Sequence, residues 1–170
     1  MGKIFVTSDT HFNHKNIIEY CNRPFTSVEE MNKTLIDNWN SIVSDDDTVF
    51  FLGDFCLGQR EEIIKIASQL KGHKILIMGN HDRATVKAFT DAGFETVYKK
   101  PPIIRFDEYD MTIEFSHAPR YDDDHHYPNI HGHVHDKAQN DATHYCACVE
   151  VNDYKPVLLE DIIKYFKEQK

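Results

Sequence analysis

Little in this sequence could hold a fold together from outside its own core. The four cysteines, Cys21, Cys56, Cys146 and Cys148, include no C-x-x-C pair, which points to a reduced, cytoplasmic protein. No apolar run approaches the roughly 20 residues needed to span a bilayer. The N-terminus enters a strand pattern with no charged-then-apolar signal region, so neither export nor membrane anchoring is expected. Repeats and linker-like stretches are also missing. Basic residues are in the minority, with 19 Lys and Arg against 28 Asp and Glu and a formal net charge of −9. That balance disfavours a protein whose affinity comes from neutralising many phosphates across a basic face. A nucleic-acid end is left as a partner that the charge does not indicate. A pair of bound divalent cations would add about four positive charges at one spot, so a local site can be cationic on an acidic surface.

What remains is an ordinary globular composition, 41% hydrophobic and 28% charged. A chain of 170 residues is expected to form one domain, residues 1–170, whose core needs neither disulfides nor a structural metal.

Lys3–Thr7 (KIFVT), Thr48–Leu52 (TVFFL) and Lys74–Met78 (KILIM) are short apolar runs that read as buried strands. Met111–Phe115 reads as a fourth, paired with Ile103–Phe106 across a turn at Asp107–Asp110, and Tyr145–Val151 as another. Cys146 and Cys148 would share one face of that last strand, where packing is the expected role. Val28, Met31, Leu35, Ile36, Trp39, Ile42 and Val43 recur at helical spacing behind Ser27 and Glu30, a capping signal. Further helices are expected over Glu61–Leu70, Ala84–Ala92 and Leu159–Lys167. Ala118–Asn129, with Asp122–Asp124 and His125–His126, reads as a solvated loop.

Chemistry-bearing residues follow these strands in turn. Asp9 and His11 follow the first, Gly53–Asp54 the second, Gly79–Asn80–His81–Asp82 the third and His117 the fourth, and Gly132–His133–Val134–His135 adds a further loop. Any one of them alone reads as a helix cap or a polar surface residue. Together they suggest convergence, because ligands of open α/β sheets bind beyond the carboxyl ends of the strands. Carboxylate, imidazole and amide oxygen suit borderline and harder divalent metals, whereas a soft site would want thiolates. His133 and His135 are two apart, which places them on one face if extended and towards neighbouring metals if in a turn.

In order, Asp9-x-His11, Gly53-Asp54, Gly79-Asn80-His81-Asp82, Ser116-His117 and Gly132-His133-x-His135 resemble the five signature blocks of the calcineurin-like metallophosphoesterase superfamily. The stretch Val149–Leu159, with Tyr154-Lys155-Pro156-Val157, resembles the tail of small bacterial and phage members. The resemblance implies a mixed α+β fold, a four-layer α/β/β/α sandwich of two mixed sheets flanked by helices. It implies two divalent metal ions, Mn²⁺ foremost with Fe, Zn, Ni or Mg as alternatives. One would be held by Asp9, His11, Asp54 and His135 and the other by Asp54, Asn80, His117 and His133, with both oxygens of the bridging Asp54 in use. Such a pair, about 3.5–4 Å apart, generates a hydroxide for in-line attack on phosphorus. His81 would assist the leaving group without ligating metal, and Asp82 would orient its ring and hold it protonated. Arg23 and Arg120, with His14 and Lys15, are candidates for substrate phosphate, against surface charge as the plainer reading.

The Gly-Asp block continues as Phe55-Cys56-Leu57-Gly58, without the arginine of the Val-Asp-Arg-Gly pattern that protein phosphatases of this superfamily resemble. Nor does any long insertion leave room for a capping domain. A shallow pocket on a small phosphate ester or nucleotide is expected, with a phosphodiester ranked first and a phosphomonoester second. A binding module that keeps the fold without catalysis is the alternative of another class; all seven ligands and His81 are present, which argues against it.

Overall fold

The computed structural model describes residues 2–121, 126–138 and 140–169. Among these residues five α-helices, α1 (Lys15–Tyr20), α2 (Val28–Ile42), α3 (Arg60–Ala67), α4 (Val86–Asp91) and α5 (Leu159–Glu168), accompany nine strands. The strands are β1 (Ile4–Thr7), β2 (Thr48–Phe51), β3 (His73–Ile77), β4 (Phe94–Tyr98), β5 (Ile103–Phe106), β6 (Met111–Ser116), β7 (Asn129–His131), β8 (His144–Cys146) and β9 (Val157–Leu158). They form one sheet in the order β4-β3-β2-β1-β9 and another in the order β5-β6-β7-β8. Both sheets are mixed: β9 runs antiparallel to β1, and β5 antiparallel to β6, while the other neighbours are parallel. This is the expected mixed architecture of two sheets flanked by helices. Among the described residues no helix is long and apolar enough to cross a membrane.

The apolar runs of β1 to β3 are continuous because both faces of their sheet are buried. Phe5, Val49, Phe51 and Leu76 point to a cluster with Met31, Leu35 and Trp39 of α2, Ile63 and Ile66 of α3, and Phe89 of α4. Their neighbours Val6, Phe50, Leu52 and Ile77 point to a second cluster with Met111, Ile113 and Phe115 of β6, Ile130 of β7, and Ile162, Ile163 and Phe166 of α5. Phe50 and Phe115 stack across the sheets with ring centroids 4.7 Å apart. Ser27 caps α2 by accepting from the Glu30 N–H, as the sequence pattern predicts.

Several expectations change. The strand placed at Tyr145–Val151 ends at Cys146, and Val149–Val151 is a 3-10 turn. Cys148 still forms a single bridge with Ser8, and both cysteines are fully buried. The loop placed at Ala118–Asn129 closes into β7, where Asn129 is buried and accepts from the Arg120 backbone N–H. Asp122–Asp124 and His125 lie outside the described residues. The short elements α1, β4, β7 and β9 carry too few apolar positions to announce a period.

Candidate metal centre

Because β1, β2 and β3 are parallel, and β6 parallel to β7, the residues after each strand emerge on a shared edge. Backbone hydrogen bonds lace these exits together: the Asp9 N–H donates to Gly53 O, the His11 N–H to Asp54 O, and the Gly132 N–H to His117 O, at 2.8–3.0 Å. Asp9, His11, Asp54, His133 and His135 all have φ between 49° and 72°. Non-glycine residues reach that left-handed region at a cost, and such strain concentrates at functional sites. Gly132 is required by close approach, since a Cβ there would overlap Ser8 Oγ and Asp9 Oδ2.

These turns bring all seven expected ligands into two clusters. In the first, His11 Nε2 lies 3.7 Å from Asp9 Oδ1 and 3.5 Å from Asp54 Oδ2, and His135 Nε2 lies 3.6 Å from Asp9 Oδ1. In the second, His117 Nε2 lies 3.4 Å from Asp54 Oδ2, 2.8 Å from Asn80 Oδ1 and 3.1 Å from His133 Nδ1. Donors about 2.1 Å from one ion stand about 3.0–3.4 Å apart in octahedral or tetrahedral coordination, so both clusters are near the size of a metal shell. Asp9 Oδ1 and His11 Nε2 are buried and have no hydrogen-bond partner, a costly state for polar atoms unless a ligand meets them. The donor set therefore fits divalent metal. Asp54 Oδ2 faces both clusters, whereas Oδ1 accepts the His81 backbone N–H at 2.8 Å. Oδ2 is thus the Asp54 atom common to both clusters.

The electrostatics match a cation site. Burial alone would raise the Asp9 carboxyl, but His11, His117, His135 and Ser8 hold it far below the usual carboxylate range. Burial likewise disfavours a charged His117, yet its contact with Asp54 and the Asp9 charge push its pKa up to about 9. His117 Nδ1 pairs with Leu52 O at 2.8 Å, which leaves Nε2 facing the cluster. The remaining oxygen of Asp9, Oδ2, accepts from Ser8, from the His133 N–H and from Cys148 Sγ.

Two expected roles are corrected. Arg23 does not face substrate. Its buried guanidinium donates to Glu150 Oε1 through Nε (3.0 Å) and through a terminal nitrogen (2.6 Å), and to the carbonyls of Asp9 and Thr10 at 2.7 and 2.8 Å. Asp82 does not hold the His81 ring; its carboxylate accepts the backbone N–H groups of Asp54, Phe55 and Gly79 at 2.8–2.9 Å, clasping two strand exits together. The exposed His81 ring lies 5.5 Å from the His11 ring. His14 caps α1, its Nδ1 accepting from the Ile17 N–H, and Lys15 is exposed. Arg120 lines a cavity beside Asn80, His117 and His133.

Glu150 is the residue that the motifs do not reveal. Its Oε1 accepts from His135 Nδ1 at 2.9 Å as well as from Arg23. A ligating imidazole is commonly oriented by an acceptor on its other nitrogen, and here that acceptor comes from the 3-10 turn after β8. Arg23 and Glu150 are 127 residues apart, so no local pattern joins them.

A model of the calcineurin-like phosphoesterase family matches residues 2–165, and the chain belongs to that family. It is accordingly a metal-dependent phosphoric ester hydrolase. The chain is 38% identical to the uncharacterized protein MJ1445 of Methanocaldococcus jannaschii, over all of this chain and 94% of that one. A shorter match, 41% identical, joins 48% of the chain to 41% of the gene 66 protein of Mycobacterium phage L5. Among solved structures, a protein of unknown function from Aquifex aeolicus, AQ665, superposes with a TM-score of 0.75 at 29% identity, over 97% of this chain and 100% of that one. The nuclease MPE of Pseudomonas putida shares the fold at a TM-score of 0.50 and 17% identity, over 78% and 61% of the two chains.

Proposed function

We propose that the protein is a dinuclear phosphodiesterase, loaded with Mn²⁺ and acting in the cytoplasm on a small phosphate diester or nucleotide. The observation that carries this reading is the pair of clusters sharing Asp54 Oδ2 beside two buried, unpartnered donor atoms. Asp9, His11, Asp54 and His135 would hold one ion, and Asp54, Asn80, His117 and His133 the other. Imidazole with oxygen donors and no thiolate suits borderline and harder divalent metals, and Mn²⁺ is the ion taken first here, with Fe, Zn, Ni or Mg as alternatives that availability decides. When bound, two such ions supply Lewis-acid charge at the phosphoryl oxygens and lower the pKa of a water.

The chain's own side chains do the rest. As the oxygen of water bonds to phosphorus and the bond to the leaving oxygen breaks, that oxygen needs a proton. The exposed ring of His81, 5.5 Å from the His11 ring, would deliver one from its N–H. The His81 backbone N–H on Asp54 Oδ1 keeps this acid in register with the shared carboxylate. With Arg23 committed to Glu150, one arginine fewer is available to substrate phosphate, which suits a singly charged diester at least as well as a dianionic monoester. Four free cysteines agree with a reduced compartment. The nuclease neighbour adds an analogy at the level of fold.

The test is metal analysis of protein purified without chelators, followed by hydrolysis of a bis-aryl phosphate with added Mn²⁺. The His81→Ala variant should keep its metals, lose about 10²–10⁴-fold in rate on a diester with a poor leaving group, and lose far less on an activated aryl ester. Equal losses on both would remove the acid role. A metal-loaded but inert wild type would favour a binding module.

A further inference from the structure

Beside the second ligand cluster lies a cavity of about 360 Å³, one side of which the cluster itself supplies. Asn80, His117 and His133 form one side. Ile77 and Met78 at the end of β3, Pro101 before β5, and Ala118 after β6 supply apolar walls, and Lys99 and Arg120 stand at the rim. Its position follows from the fold: the exits of β3 and β4 from one sheet and of β6 from the other meet there. Among the described residues no carboxylate lines it. By contrast, the cavity between α2 and α3 carries Glu29, Asp37 and Glu62, and that along α5 carries Glu160, Asp161 and Glu168. A partly apolar recess with Lys99 and Arg120 at its rim, beside the candidate metal ligands, can take a substrate that joins an uncharged group to a phosphate.

We propose that this cavity is the subsite for one nucleoside esterified to the scissile phosphate, its base against Met78, Pro101 and Ala118 and its far oxygen towards Lys99. The inference rests on the phosphodiesterase reading and names the part of the substrate that is recognised. The volume sits at the lower end of the range for small-molecule sites, enough for one nucleoside and too little for two stacked ones. A thioether and a proline ring give a flat apolar contact that tolerates any base, so recognition of the nucleoside need not be base-specific. Lys99 is exposed and makes no ion pair with another described residue. It can therefore meet a further phosphate on the same nucleoside as a point charge.

Two variants and two readouts test this. With Mn²⁺-loaded protein, kcat/KM is measured for the nitrophenyl ester of thymidine monophosphate and for a bis-nitrophenyl phosphate. Separately, binding of thymidine monophosphate is measured by calorimetry, and folding of each variant is checked by its melting curve. Wild type should prefer the nucleoside ester. Ala118→Trp, which fills the recess, should lower the ratio of the two kcat/KM values about tenfold or more and weaken nucleotide binding by a similar factor. Lys99→Glu should lower the ratio further for an ester that carries an extra phosphate on its sugar. If both esters are cleaved but the ratio and the nucleotide affinity ignore both substitutions, the subsite is wrong and the phosphodiesterase reading stands. If neither ester is cleaved while Ala118→Trp still weakens nucleotide binding, the subsite stands and the diesterase reading fails.

Discussion

Replacing Glu150 by glutamine changes one charge in a pair whose side chains are 0% and 2% exposed. In the native protein Glu150 Oε1 takes two bonds from Arg23 and one from His135 Nδ1, while Oε2 is buried without a partner. Glutamine can keep an acceptor at Oε1. Its NH₂ then occupies the place of Oε2, where there is nothing to receive it, and the buried guanidinium loses its counter-charge. Breaking a buried ion pair from one side costs about 3–5 kcal/mol, and retained hydrogen bonds offset part of that. The expected loss is about 3 kcal/mol, or about 10 °C in Tm for a domain of this size. Mn²⁺ affinity should also fall about 10–100-fold, because His135 loses the acceptor that fixes its orientation. Trp39, the single tryptophan and 2% exposed, reports urea unfolding by fluorescence, and calorimetry on chelator-stripped protein reports the metal. The double variant Arg23→Met with Glu150→Leu separates the two effects: most of the stability should return, since apolar replacement of a buried pair is often neutral, while metal affinity stays low. A Glu150→Gln protein within about 1 kcal/mol of wild type, or a double variant with native metal affinity, would refute the reasoning.

Two other outcomes follow from the same centre. In metal-free protein the His117 pKa is raised from 6.5 to about 9, so its contribution to stability is complete below pH 6.5 and is lost as pH rises through about 9. Since metal must displace that proton, Mn²⁺ affinity should rise about tenfold per pH unit from pH 7 to 9 while the metal-free Tm falls; a flat affinity across that window would count against this assignment. Gly132→Ala forces a methyl onto Ser8 Oγ and Asp9 Oδ2 and should cost about 1–3 kcal/mol together with metal affinity. Wild-type melting with and without Mn²⁺ would show that the close approach does not matter.

Four of the candidate metal ligands were legible because each follows a strand, and a buried parallel strand advertises itself as an apolar run with an abrupt polar end. Asp9, Asp54, Asn80 and His117 stand one to three residues past such runs, and Ser27 and Glu30 mark the start of α2 in the same local way. The elements β7, β9 and α1 left no such mark because their positions are decided by partners far along the chain. The roles of Arg23 and Asp82 were beyond the sequence for the same reason.

An arginine near a metal motif and an aspartate beside a histidine are equally consistent with contacting substrate or with tying backbone. Only burial against Glu150 and against the strand exits selects between them. By itself, then, the sequence determined the alternating helices and strands and the acidic balance of charge, which depend on residue type and nearest neighbours, while resemblance to the family picked out the seven candidate donors. Tertiary structure alone decided that Asp54 turns Oδ2 towards both clusters, that Glu150 pairs with His135 and that Arg23 turns inward. Those outcomes depend on distances between residues separated by tens of positions, and local pattern carries no record of such distances.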